Sequence, residues 1–151
     1  MNVVLDTNIL ARIAQPGHTQ HPTALAAVNA LQLRGDSPCL VPQVLYELWV
    51  VATRPKTANG LGFTPDEAEA ELTRVEGLFP LLPDTGTISA EWRRLVVGNG
   101  VSGRSAHDTR LVAAMAVRGI THLLTFDTAH DTRYPGITVL DPAALSLPPS
   151  P

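Results

Sequence analysis

Met1-Asn2-Val3-Val4-Leu5-Asp6-Thr7-Asn8-Ile9-Leu10 opens the chain, and its pattern changes at Asp6. Val3 to Leu5 is a short, continuous aliphatic run rich in β-branched residues, which suits a strand buried on both faces of a parallel sheet. From Thr7 the apolar positions Ile9, Leu10 and Ile13 take helical spacing, and Pro16-Gly17 stops them. A buried strand that passes straight into a helix is the first half of a βαβ unit, and the remaining chain is expected to repeat that alternation.

The repeat is readable. A second helix is predicted after Pro22, with Leu25, Val28, Leu31 and Leu33 inward and Gly35 as its stop. Cys39 to Val41 reads as a strand, and Pro42 begins a helix carrying Val44, Leu45, Leu48, Trp49 and Val51 that ends at Arg54-Pro55. Residues 55–63 form a loop, and Thr64-Pro65-Asp66-Glu67 is a capping start for a helix reaching Leu78. Phe79 to Leu82, broken by prolines, is a third brief apolar segment and is counted as the third strand. Helices are predicted over Ser89–Val97 and His107–Val117, with strands at His122–Phe126 and Ile137–Leu140. The architecture expected is a three-layer α/β/α domain over residues 1–142 with a mainly parallel sheet of four to five strands, followed by a tail over 143–151 whose Pro- and Ser-rich end is frayed.

Composition bounds the function. A chain of 151 residues, 44% hydrophobic and 17% charged, is one domain with a full core. A formal charge of -3 excludes a broad basic surface for nucleic acid, because such binding rests on neutralising phosphates with Lys and Arg. A polyanion then needs a metal ion to supply positive charge locally. The one cysteine, Cys39, excludes an internal disulfide and reads as a buried thiol. No basic segment followed by a long apolar stretch opens the chain, and the expected location is cytoplasmic.

In an open parallel sheet the functional crevice lies beyond the carboxyl ends of the strands. Asp6 follows the first strand and Asp127 follows the strand at 122–126. Asp108 falls in the first turn of its helix and Glu47 in the second turn of the helix after the second strand, and helix starts face the same edge. Four carboxylates brought together repel one another and need a cation to persist ionised. Oxygen ligands select hard ions, so Mg²⁺ or Mn²⁺ is the expected cofactor, and a phosphodiester is a substrate such an ion can hydrolyse with activated water. Thr7 and Asn8 sit beside Asp6, where they either orient its carboxylate or cap the following helix.

The ordered set Val4-Leu5-Asp6-Thr7-Asn8, Glu47, His107-Asp108 leading into Leu111-Val112-Ala113-Ala114, and Leu124-Thr125-Phe126-Asp127 resembles the PIN-domain proteins of the VapC type, toxin ribonucleases of bacterial toxin–antitoxin pairs. The resemblance spans nearly the whole chain. It implies a PIN-like fold, an RNA substrate, a site of Asp6, Glu47, Asp108 and Asp127 holding Mg²⁺ or Mn²⁺, and a small antitoxin protein as partner. Glu47 rests on it most. After the fourth acid, where many such proteins carry a further acidic residue and a phenylalanine, this chain has His130 and Asp131. The number of ions is left open by this difference, and Asp131 is either an outer ligand or a solvated loop carboxylate.

Other readings bear on the same residues. Arg104 is either a phosphate contact near Asp108 or a solvated cation, and Arg54 with Lys56 is either a small phosphate-steering patch or a solvated loop. His18 and His21 lack the partners of a zinc site, and surface or capping roles suffice. Gly98 to Gly103 has the letters of a dinucleotide fingerprint but follows a helix, and so reads as a connection. Trp49 and Trp92 fit helix packing. An aspartyl-phosphate phosphatase would need an acid at Asn8. A PIN-fold regulatory protein without turnover, or a solitary RNA-processing nuclease without an antitoxin, remain as alternatives. Self-association through faces near Trp92 and residues 64–78 would give a homodimer.

Overall fold

The computed structural model describes residues 1–128 and 136–146. His130, Asp131 and the last residues of the tail lie outside them. Four strands, β1 (Asn2–Leu5), β2 (Ser37–Cys39), β3 (His122–Leu124) and β4 (Thr138–Leu140), form one all-parallel sheet in the order β2-β1-β3-β4. β1 is central because Val3, Val4 and Leu5 are wholly buried. They pair with Pro38 and Cys39 on one side and with His122 to Leu124 on the other. Pro38, which has no N–H, is placed on the outer strand, where a missing donor is tolerated.

The helices are α1 (Thr7–Ile13), α2 (His21–Leu33), α3 (Pro42–Thr53), α4 (Pro65–Leu78), α5 (Ile88–Gly98), α6 (Ser105–Ala116) and α7 (Pro142–Ser146), with a 3₁₀ turn at Lys56–Ala58. The chain steps from β1 to β2 in one direction and from β2 past β1 to β3 in the other. Right-handed crossovers therefore lay the two sets of helices on opposite faces of the sheet, giving the three layers. α7 packs on α2, α5 packs on α6, and α1 meets α3. The reversal of strand order falls between β1 and β3, so the crevice opens beyond Leu5 and Leu124.

Several expectations are corrected. Phe79–Leu82 does not form a ladder: Leu81 makes a single parallel bridge to Leu40, between prolines that cannot donate. The second strand is Ser37–Cys39, earlier than Cys39–Val41, because Val41 already caps α3. α6 begins at Ser105, not His107, and β3 stops at Leu124, after which the Phe126 N–H turns to the Asn8 side chain. Leu33 is 88% exposed instead of inward, because the buried stripe of α2 is Ala24, Ala27, Val28 and Leu31 and Leu33 lies about 200° around the helix from Leu31. Leu25, at 39%, is turned out likewise.

Other local signals hold. Thr64 and Glu67 form a reciprocal capping box at the start of α4, with Pro65 at the first helical position. Trp92 donates its indole N–H to the Ala106 carbonyl, and Trp49 packs against a small second core of Ala52, Leu61 and Ala68. Cys39, the last residue of β2, is buried, and burial pushes its thiol up to about 11. Among the described residues no helix is long and apolar enough to cross a membrane.

Candidate active site

The crevice at the strand-order reversal is a cleft of about 300 Å³, and Asp6, Glu47, Asp108 and Asp127 all line it. Each is delivered by a different element. Asp6 is the residue after β1, and its backbone N–H donates to the Leu124 carbonyl, which ties it to the end of β3. Asp127 follows β3 by three residues, Asp108 lies in the first turn of α6, and Glu47 lies in the second turn of α3.

The carboxylate of Asp6 is fixed at both oxygens. The Thr7 N–H donates to Oδ1 at 2.7 Å and the Thr125 hydroxyl donates to Oδ2 at 2.8 Å. Thr125 in turn accepts from the Asn8 amide at 2.9 Å and from the Asp127 N–H at 3.1 Å. Asn8 completes a ring by accepting from the Phe126 N–H at 3.1 Å. One buried hydroxyl thus joins the loop after β1 to the loop after β3.

Glu47 is held in the same manner from the other side. The Thr7 hydroxyl donates to its Oε2 at 2.8 Å, and Gln43, one helical turn earlier, donates to its Oε1 at 3.0 Å. The same Gln43 nitrogen donates to the His107 carbonyl at 2.9 Å, joining α3 to the residue before Asp108. Arg110 donates to Gln43 Oε1 at 3.2 Å and to Asp84 at 2.8 Å, so the guanidinium orients the amide and is itself paired.

The electrostatics fit a cation. Burial raises the Asp6 carboxyl above its ordinary range, opposed by the hydrogen bonds from Thr125 and Thr7, while the charges of Glu47 and Asp127 push it up further. The donor set is oxygen, matching hard divalent ions. As the side chains stand, no three His, Cys, Asp or Glu residues among those described are gathered tightly enough to ligate one ion together. Mg²⁺ does not require that, since it is commonly held by one or two carboxylates and keeps several waters.

The sequence-predicted positions are distributed as follows. The four acids share the cleft with Thr7 and Asn8. Thr7 serves two acids at once, its N–H to Asp6 and its hydroxyl to Glu47, whereas Asn8 reaches Asp6 only through Thr125. Arg104 does not line this cleft. It is exposed at the cap of α6 and borders a side hollow with Ser105, His107 and Asp108. Sequence reasoning gave no role to Thr125, Gln43, Arg12 or Asn59. Gln43 had a usable signal, four residues before Glu47 on one helix face. Thr125, Arg12 and Asn59 become visible only when the loops are assembled.

A family model described as PIN domain matches residues 3–134. Among curated protein sequences none matches this chain. Among solved structures, VapBC2 from Rickettsia felis, bound to a DNA fragment of its promoter, is similar with a TM-score of 0.66 at 16% identity, covering 93% of this chain and 98% of that one. FitAcB from Neisseria gonorrhoeae is similar at 0.64 and 20% identity, covering 94% and 98%. Mycobacterium tuberculosis VapC20, described as a toxin that cleaves the sarcin-ricin loop, is similar at 0.57 and 18% identity, covering 84% and 92%. These likenesses are likenesses of fold.

Proposed function

The chain belongs to the PIN domain family, and from that premise we propose that it is a Mg²⁺- or Mn²⁺-dependent endoribonuclease, the toxin of a toxin–antitoxin pair, acting at the Asp6, Glu47, Asp108 and Asp127 cleft. The observation that carries this reading is the enclosed Asp6, held by two donors yet raised by burial and by two neighbouring acids. A carboxylate so placed is stabilised by a cation in the cleft. The chemistry a divalent ion supplies there is acidification of a water and neutralisation of charge building on the phosphate.

The protein's own groups do the positioning. Thr125 and Thr7 aim the Asp6 oxygens, and Thr7 and Gln43 aim those of Glu47, so both carboxylates keep their remaining lone pairs for the cleft. Among the described residues no Ser, Cys or His lines the cleft, in keeping with attack by water. The structurally similar VapBC2 is described as bound to a DNA fragment of its promoter, and VapC20 as a toxin that cleaves the sarcin-ricin loop. By analogy this chain pairs with a small antitoxin protein and takes RNA as substrate in the cytoplasm.

The test is direct. Purified protein is incubated with structured and single-stranded RNA in Mn²⁺, Mg²⁺ or EDTA, beside Asp6→Asn, Asp108→Asn and Asp127→Asn. Cleavage that needs the ion and falls by at least about a hundredfold in each variant is expected. Equal cleavage by all four proteins, or cleavage unaffected by EDTA, would sink the proposal.

A further inference from the structure

A second hollow of about 550 Å³ adjoins the acid cleft, lined by Arg12, Gln15, His18, Lys56, Asn59 and Gly60. Arg12 and Asn59 line both, so they form a shared wall. The two sides of that wall differ in charge. Among the described residues four carboxylates border the cleft, whereas none borders the hollow.

The donors of this hollow are set in place. The Arg12 Nε–H donates to Gln20 at 3.0 Å and Nη1 donates to Gln15 at 2.8 Å. Neutral amides orient the guanidinium without cancelling its charge, and neither Arg12 nor Lys56 belongs to an ion pair among the described residues. The Gln20 N–H donates to His18 Nδ1 at 3.0 Å, which leaves Nε2–H as the outward donor of the neutral ring. Lys56 and Asn59 come from a stiff turn. Pro55 accepts from the N–H groups of Ala58 and Gly60, Arg54 accepts from that of Gly62, and Asn59 sits at φ 62°. The Lys56 stem lies across Gly62, where a Cβ would stand 3.1 Å from Lys56 Cγ.

We propose that this hollow is a subsite for an RNA backbone phosphate next along the strand from the scissile one, with Arg12 and Lys56 taking its charge and Asn59 and His18 donating neutral hydrogen bonds. The inference rests on the endoribonuclease reading and adds to it how the substrate is anchored. A chain of charge -3 with four acids at its reaction centre repels a polyanion, and cations beside the centre are what hold the strand in register. The lining has donors of the kind phosphate oxygens accept and, among the described residues, no Phe, Tyr or Trp to serve as a base-stacking platform.

The experiment uses the full chain and two probes, a cleavable RNA and a 2′-O-methyl oligoribonucleotide of the same sequence, kept resistant to hydrolysis by withholding the divalent ion with EDTA. In Arg12→Gln/Lys56→Gln, KM and the dissociation constant of the resistant probe should rise about tenfold, with kcat changed less than roughly twofold. The slope of log affinity against log salt should flatten by about 0.7, the single-strand value for one phosphate. A neutral methylphosphonate placed next to the scissile position should weaken the wild type by a similar factor and leave the double variant unaffected. Arg12→Lys/Lys56→Arg should recover most of the affinity. If the double variant does not fold, Lys56→Gln alone, on an exposed turn, should still flatten the slope.

An unchanged slope and KM, a loss confined to kcat, or a wild type that binds an acidic peptide but not the oligoribonucleotide would each overturn the subsite. Wild type that binds the resistant probe in this manner yet hydrolyses no RNA would refute the nuclease reading and leave the subsite standing. Wild type that cleaves RNA with no dependence on Arg12 or Lys56 would do the reverse.

Discussion

The Thr125 hydroxyl donates to Asp6 Oδ2 at 2.8 Å across 119 positions of sequence, and it does so from a wholly buried site. It also accepts from Asn8 and from the Asp127 N–H, so its one hydrogen and both lone pairs are all in use. Removing the oxygen strands three partners. Thr125→Val, which keeps the shape, should destabilise the protein by about 1–3 kcal/mol in denaturant unfolding. On the proposed reading, in which Asp6 holds the metal, it should also lower nuclease activity by about 10- to 100-fold, because the group that aims that carboxylate is lost. Thr125→Ser keeps the hydroxyl and should recover most of the activity. A Val variant as active as wild type would show that the hydroxyl only packs.

Stability should depend on pH through Asp6 with a definite sign. Because burial raises the Asp6 carboxyl in the folded state, the native protein holds that proton to a higher pH than the unfolded chain does. Between the unfolded value, about 3.9, and the raised folded value, the native state binds more protons. Stability contributed by this group therefore falls as pH rises through that window and is level above it. Asp6→Asn lacks the titration. The free energy of unfolding of wild type minus that of the variant, measured in EDTA, should move against the wild type from about pH 4 upward and then flatten. Mg²⁺ at neutral pH should raise the melting temperature of the wild type and not of the variant. A difference that is flat across the whole range would contradict the buried, raised carboxyl.

Much of the architecture was legible because its signals are local. Val3 to Leu5 followed by Asp6 announces a central strand and its carboxyl end, and Thr64-Pro65-Asp66-Glu67 announces a capped helix. The same locality explains the misses. Phe79 to Leu82 is apolar enough for a strand, but only the tertiary position of Pro80 and Pro83 decides that one bridge forms instead of a ladder. Leu25 and Leu33 are as hydrophobic as Leu31, and it is the packing of α7 on α2 that selects which stripe is covered. At the site, the order and spacing of the four acids were readable, and the structure lays all four along one cleft. The groups that orient them were not, because Thr125 acts on a residue 119 positions away and Gln43 reaches the His107 carbonyl 64 positions away. No periodicity encodes such pairs.

Gln43 is the counterpart of Thr125 on the Glu47 side. It is 7% exposed, and its amide group bridges Glu47, the His107 carbonyl and Arg110. Gln43→Leu should leave one Glu47 oxygen without its donor and remove the side-chain bond to the His107 carbonyl, costing about 1–3 kcal/mol of stability. The loss of orientation should raise the concentration of Mn²⁺ needed for half-maximal activity by about 10- to 100-fold. Gln43→Glu should do worse, because it places a second negative charge against Glu47. Metal titrations of activity, read beside thermal melts, separate the two effects. A variant that is less stable but needs no more Mn²⁺ would reduce Gln43 to a packing role.

Two glycines make opposite predictions from geometry alone. A Cβ at Gly60 would lie 1.9 Å from the Arg54 carbonyl oxygen, which is backbone and has nowhere to go. Gly60→Ala should therefore force the 55–62 turn apart, costing at least about 1–3 kcal/mol. Since Lys56 and Asn59 ride on that turn, it should also weaken RNA binding by more than the stability loss explains. Gly77 lies near the end of α4 with open space where its Cβ would be. Gly77→Ala should stabilise the protein by up to about 1 kcal/mol, because alanine restricts the unfolded chain and favours the helix. It should leave cleavage untouched, being remote from the cleft lining. Denaturant unfolding of both variants, with RNA affinity measured on each, sets the turn's rigidity against a neutral control. If Gly60→Ala unfolds like the wild type and still binds RNA normally, the turn yields easily and the placement of Lys56 is not built into the backbone.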